Sequence, residues 1–112
     1  VIAEIGSFAG KSSELFALHC AKLHCVDIWE EYWEIDGTTL TKAESQFDEM
    51  RSRYSNIDKL KMTSVNGAKE FKDDSLDLAT ATSSKELYVC PTYNFKSSKS
   101  KVVFQSVSLF VI

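Results

Sequence analysis

Proline is nearly missing from this chain, with Pro91 the only one in 112 residues, and glycine occurs at four positions. No tract is low in complexity and none repeats on the scale of a domain, so the composition is that of a globular chain. Long apolar runs are missing too. The final "KVVFQSVSLFVI" is short and is broken by Gln105, Ser106 and Ser108, so no membrane span is expected where about 18 apolar residues would be needed. A basic surplus is also missing: 13 Lys and Arg face 16 Asp and Glu, a net charge of -3, which argues against a protein that tracks nucleic-acid phosphates. Three cysteines, Cys20, Cys25 and Cys90, form an odd set without a C-x-x-C pair. They read as reduced thiols of a cytoplasmic protein rather than a disulfide framework. An initial Met and a secretory signal are absent, and the opening residues read as the inside of a strand, so further residues are expected before Val1.

What is present suits one soluble domain: 44% hydrophobic and 26% charged residues, in a chain long enough to bury roughly 60 to 70% of its unfolded surface. The first third alternates element types. "VIAEI" is β-rich, "GSFAG" is a glycine-bounded turn, and "KSSELFALHCAKL" sets Leu15, Phe16, Leu18 and Leu23 at helical spacing, with Ser12 or Ser13 as the cap. "HCVDIW" then reads as a strand that ends in an acid. A strand, a turn, a helix and a strand in that order predict a right-handed crossover between parallel strands.

Further on, "EEYWEIDGTT" reads as a polar and aromatic loop turning at Gly37. In "TLTKAESQFDEMRSRYS", Thr41 and Glu44 form a capping-box pattern and Ala43, Phe47, Met50 and Tyr54 line one helix face. "KLKMTSV" is a third strand, "NGAKEFKDD" a short helix or turn, and "SLDLATA" the start of a fourth strand. After Leu78 the chain becomes rich in Ser, Thr and Lys. "KVVFQSVSLFVI" reads as a strand from its β-branched content, without an identified partner.

The chemistry concentrates in "EIGSFAGKSS". A phosphate loop needs G-x-x-x-x-G-K-S/T so that backbone amides wrap a phosphate. Here only Ser7, Phe8 and Ala9 separate Gly6 from Gly10, and Glu4 adds negative charge, so Lys11 is expected to face solvent. A dinucleotide fingerprint needs G-x-G-x-x-G, and Phe8 occupies the place of its second glycine. A cationic ligand suits the residues better. Glu4 ends the first strand, Gly6 and Gly10 allow a sharp turn, and Asp27 ends the second strand where ribose hydroxyls need an acceptor.

These residues resemble the class I S-adenosylmethionine-dependent methyltransferases, especially a small-molecule branch carrying "EIGSxxGxSS" and "VDIW". The resemblance runs from Val1 to about Leu78 and includes "MTSVNGAKEFKDDSLDL". It implies an α/β fold: a Rossmann-like parallel sheet with flanking helices, incomplete relative to the family's seven strands. Residues 1–78 would be a partial cofactor domain and 79–112 a divergent tail. Position by position, Glu4, Gly6, Ser7, Gly10 and Ser12 would line the methionyl part of S-adenosylmethionine. Asp27 would hold the ribose, Ile28 and Trp29 would meet adenine, and Thr63 and Ser64 would face its amino group.

The resemblance stops after "SLDL". The branch continues toward an aspartate and a histidine, whereas Thr82 and Lys85 stand at those places, and the 34 residues beyond Leu78 are too few for three more strands. A truncated or frame-shifted product, or a domain fragment, is the expectation. The resemblance implies methyl transfer to a small molecule, at oxygen, with no catalytic base or metal assigned. A non-catalytic shortened module and a nucleotide-phosphate binder stand as alternatives. "LHCAKLHC" lacks the four convergent ligands of a zinc site, and nothing places His19 or His24 beside a nucleophile.

Overall fold

The computed structural model describes residues 1–30, 34–35, 38–81 and 101–104, with side chains described over 1–30 and 42–81. The strands of the main sheet are β1 (Ile2–Ile5), β2 (Leu23–Asp27), β5 (Ile57–Lys61), β6 (Leu78–Ala81) and β7 (Lys101–Phe104). Between them lie the helices α1 (Lys11–Ala17), α2 (Leu40–Arg51) and α3 (Ser64–Lys69), and a two-stranded antiparallel ribbon of β3 (Glu34–Ile35) and β4 (Thr38–Thr39).

Every pairing in the main sheet is parallel, in the order β5-β2-β1-β6-β7. The chain therefore moves outward from β1 through β2 to β5, then crosses back to β6 on the other side of β1. Counting main-sheet strands alone, this is the order third, second, first, fourth, fifth, which is compatible with a Rossmann-like fold. The reversal of direction opens a crevice at the carboxyl ends of β1 and β6. The expected final strand is present over Lys101–Phe104, and its partner is β6.

Side chains alternate across the sheet, so neighbouring strand residues serve different layers. On one face, Leu23, Cys25 and Ile57 pack with Ala17 of α1 and with Ala43, Phe47 and Met50 of α2. On the other face, Ala3 and Ala79 meet Leu76 and Phe71, and Gly67 of α3 comes so close to Val26 that an added Cβ would lie 2.6 Å from its Cγ1. The predicted α2 face is observed, with Ala43 and Phe47 fully enclosed and Tyr54 packed against the same cluster. Burying a side chain such as Phe47 or Leu23 contributes roughly 1.5–3 kcal/mol. Among the described residues no helix is long and apolar enough to cross a membrane.

Three expectations are corrected. First, α1 ends at Ala17, so Leu15 and Leu18 are exposed and Ser13 and Ala17 face inward. The side chain of Asn56 closes that end by donating to the carbonyls of Ala17 and Cys20. Second, the N-cap of α1 is Gly10 rather than Ser12 or Ser13. Third, α2 starts at Leu40, so Thr41 lies inside it, and the Glu44 carboxylate turns to Lys59 and Lys61 instead of closing a capping box. The loop aromatics Tyr32 and Trp33, Gly37, Thr82 and Lys85 lie outside the described residues.

Candidate functional site

The turn from β1 to α1 occupies the carboxyl end of the central strand. Three of its residues have positive φ: Gly6 at 83°, Phe8 at 48° and Gly10 at 86°. The glycines adopt this conformation at little cost, whereas an L-residue such as Phe8 costs about 1–2 kcal/mol there. Gly10 is also closely packed: a Cβ would sit 2.6 Å from the flexible end of Met50, at Cε, and 3.1 Å from Phe47 Cδ2.

Beneath the turn, Glu4 is completely enclosed. Its carboxylate accepts from the hydroxyls of Ser7 (2.8 Å), Ser12 and Ser13, and from the Cys25 thiol (3.7 Å). A buried carboxylate is tolerable only when its oxygens are matched by donors, and the serine pair at the start of α1 provides them. The resemblance puts Glu4 at the methionyl part of a ligand. Its side chain faces inward instead and ties the turn and α1 to the strand. Cys25 lies opposite Glu4 in the β1–β2 register, and burial together with the Glu4 carboxylate pushes its thiol up to about 12. On the other neighbour, Thr80 pairs with Glu4 in register, and its buried hydroxyl has no hydrogen-bond partner among the described residues.

Asp27 stands at the end of β2, half-buried beside the turn. One carboxylate oxygen accepts from the Phe8 amide at 2.9 Å and the other from the Trp29 amide at 3.1 Å. Among the described residues each oxygen thus keeps one acceptor direction for a further donor, since a carboxylate offers about four. The Trp29 indole N–H donates to the Phe8 carbonyl at 2.8 Å. Its ring is 1% exposed, tilted against Phe47 with centroids 4.8 Å apart and covered by the Lys59 ammonium at 5.0 Å. Trp29 therefore belongs to the core rather than to an exposed adenine wall, and Ile28 is the half-buried apolar neighbour of Asp27.

Thr63 and Ser64 follow β5, two strands from β1. Thr63 is exposed and caps α3 by accepting from the Asn66 amide at 3.3 Å. Lys11 is exposed at the first position of α1. The structure thus gathers Glu4, Gly6, Ser7, Gly10, Ser12, Asp27, Ile28 and Trp29 around one turn, with Thr63 and Ser64 at the end of the outer strand. Sequence reasoning missed Ser13, Cys25, Phe8 as a clamped residue and Phe47 as the floor. The adjacent serines after Gly10 were a readable signal; the register that brings Cys25 beside Glu4 was not.

Next to Trp29, Lys59 binds Glu44 and Asp48 of α2, at 2.7 and 2.8 Å, and Lys61 binds Glu44 at 2.8 Å. Burial lowers the affinity of Lys59 for its proton, but the hydrogen bonds of Asp48 and Glu44 outweigh it, so its pKa is raised. An open groove lined by residues including Arg51, Tyr54 and Asp58 lies at the end of α2 and the start of β5. It shares no residue with the turn, and several of its polar groups are already engaged: Arg51 with the Ile57 carbonyl, Tyr54 with Glu14 and Asp58 with Lys22. No group of three or more His, Cys, Asp or Glu converges among the described residues.

No family model matches the sequence, and no curated protein or solved structure matches it either.

Proposed function

We propose that the chain is the cofactor-binding half of an S-adenosylmethionine-dependent methyltransferase acting on a small-molecule acceptor at oxygen. The observation that carries this reading is the joining of two features. A glycine turn follows the central strand, and an aspartate with spare acceptor capacity ends the next strand, with the Phe8 amide bridging them. Both stand at the carboxyl edge of a parallel sheet beside its switch point, where open α/β sheets bind ligands.

The ribose and base side of the group fits the residues present, whereas Glu4 is enclosed and no described residue is assigned to the amino-acid end. A vicinal diol needs two acceptor directions from one carboxylate, which Asp27 retains. The backbone at Gly6 admits a ligand chain without a side chain in the way, the missing Cβ of Gly10 makes room for Met50 and Phe47 of the core, and half-buried Ile28 supplies an apolar contact for a base. In this reading Glu4, Ser7, Gly10, Ser12 and Trp29, all but Ser12 buried, hold the turn in shape, and the ligand meets Gly6, Asp27 and Ile28, with Thr63 and Ser64 at the rim. S-adenosylmethionine supplies an activated methyl on sulfur when bound. The chain's own residues then have to orient the ligand and exclude water. An oxygen acceptor also needs its proton removed, and no described residue is assigned to that task. The free thiols Cys20 and Cys25 suit a cytoplasmic location.

A nucleotide-phosphate binder is the weaker alternative, because Lys11 is exposed and the loop is one residue short. A shortened module without a ligand is the other. Calorimetric titration with S-adenosylhomocysteine and with ATP separates them. The proposal expects binding of the former, lost on Asp27→Ala with the fold retained by circular dichroism. ATP binding lost on Lys11→Ala supports the phosphate reading, and silence toward both supports the ligand-free module.

A further inference from the structure

We infer that Trp29 is a positioning residue for the turn: its indole N–H holds Phe8 in the left-handed conformation and so preforms the ligand site. The inference rests on the proposed function for its ligand, though the clamp itself does not.

Phe8 is the one non-glycine residue of the turn with positive φ, and both of its backbone polar groups are held from the end of β2. Its N–H donates to Asp27 and its carbonyl accepts from Trp29. Asp27 also takes the amide of Trp29, which itself has φ of 42°. The three contacts close a ring of hydrogen bonds between the two loops. Two L-residues in the left-handed region cost about 1–2 kcal/mol each, so the conformation persists only where its surroundings over-determine it.

The surroundings do so through one side chain. Phe47 lies against the Trp29 ring and beside the site where a Gly10 Cβ would project. With Lys59 over the indole, the ring plane is fixed and its N–H is aimed at Phe8. Phe47 therefore supports the turn at Gly10 directly and at Phe8 through Trp29. Without the indole N–H, Phe8 loses one of two restraints, and the binding-competent turn becomes one conformation among several. The apparent dissociation constant then rises in inverse proportion to the fraction that remains competent.

The test replaces Trp29 in a Trp33→Phe background in two ways: by Phe, and by the benzothiophene analogue of tryptophan, which keeps the ring shape and lacks the N–H. Amide hydrogen exchange and S-adenosylhomocysteine titration are measured on both. The expected result is faster exchange at the Phe8 and Gly10 amides, with β1 and β2 amides unchanged, and affinity weaker by about three- to tenfold, the loss of one hydrogen bond. Unchanged Phe8 exchange in the analogue protein overturns the inference. So does faster exchange spread evenly over β1 and β2, which is the mark of a core-packing role alone. If the unsubstituted protein does not bind S-adenosylhomocysteine, the proposed function fails, and the exchange result still decides the clamp.

Discussion

Replacing Gly10 by Ala tests the turn geometry most sharply. The φ of 86° at this position costs an L-residue about 1–2 kcal/mol. The new Cβ would also stand 2.6 Å from Met50 Cε and 3.1 Å from Phe47 Cδ2. Met50 has a flexible end that can move, but Phe47 is fully enclosed against Trp29, so repacking adds about 1–2 kcal/mol, the lower part of the overpacking range. The sum is a destabilisation of about 2–4 kcal/mol. At about 2.1 cal/mol/K of unfolding entropy per residue, each kcal/mol lowers the melting temperature of a 112-residue domain by roughly 4 °C. A drop of roughly 8–16 °C is therefore expected. Thermal unfolding followed by circular dichroism reads the drop and urea denaturation the free-energy difference, with Gly10→Asn as the companion variant. Asn tolerates positive φ yet carries a Cβ, so it should recover the backbone part of the loss and keep the steric part. A Gly10→Ala protein within about 0.5 kcal/mol of the parent, the range of an ordinary surface change, would refute the geometry.

Three further outcomes follow from the same contacts. Glu4→Ala strands the hydroxyls of Ser7 and Ser13 in a buried site and should cost about 2–6 kcal/mol for two groups at about 1–3 each; a urea midpoint equal to the parent's would contradict the serine lock. Cys25, raised from 9.0 to about 12, is protonated in the fold, so its contribution is complete below pH 9 and is lost as pH rises toward 12. Iodoacetamide at pH 8.5 should modify half-buried Cys20 well before Cys25, and Cys25→Ala should flatten the fall in stability between pH 9 and 12. Hydrogen bonds from Lys59 and Lys61 lower the Glu44 pKa below its usual 4.5, so its contribution is present above that value and lost as pH falls through the lowered one. Glu44→Gln should thus cost stability at pH 7, up to about 1 kcal/mol for a solvent-screened pair, and almost none at pH 2; an equal cost at both would refute the ion-pair account.

How much of this was legible in the sequence depended on how local each cause is. The β1–turn–α1–β2 succession and the Ala43, Phe47, Met50, Tyr54 face were readable because a period of two or of 3.6 is a local property. Leu15 and Leu18 were misplaced because hydropathy favours leucine for the core. The inward side of α1 is instead taken by Ser13, drawn in by the buried Glu4, and no periodicity announces a polar interior. Glu44 was misread for a related reason: its partners, Lys59 and Lys61, come from a strand more than ten residues away. Trp29 looked like a ligand wall, and only the position of Phe47 on α2 shows that its ring is enclosed. The sheet order itself rests on long-range pairing and had no sequence signal beyond the expectation of parallel strands.

The measurement that bears most directly on the central claim is a calorimetric titration of the unsubstituted protein with S-adenosylhomocysteine, with ATP as the control ligand. The account predicts saturable one-site binding of S-adenosylhomocysteine, abolished by Asp27→Ala in a protein that keeps its circular dichroism, and no heat from ATP. Absence of S-adenosylhomocysteine binding at millimolar concentration, or ATP binding that depends on Lys11, would contradict it.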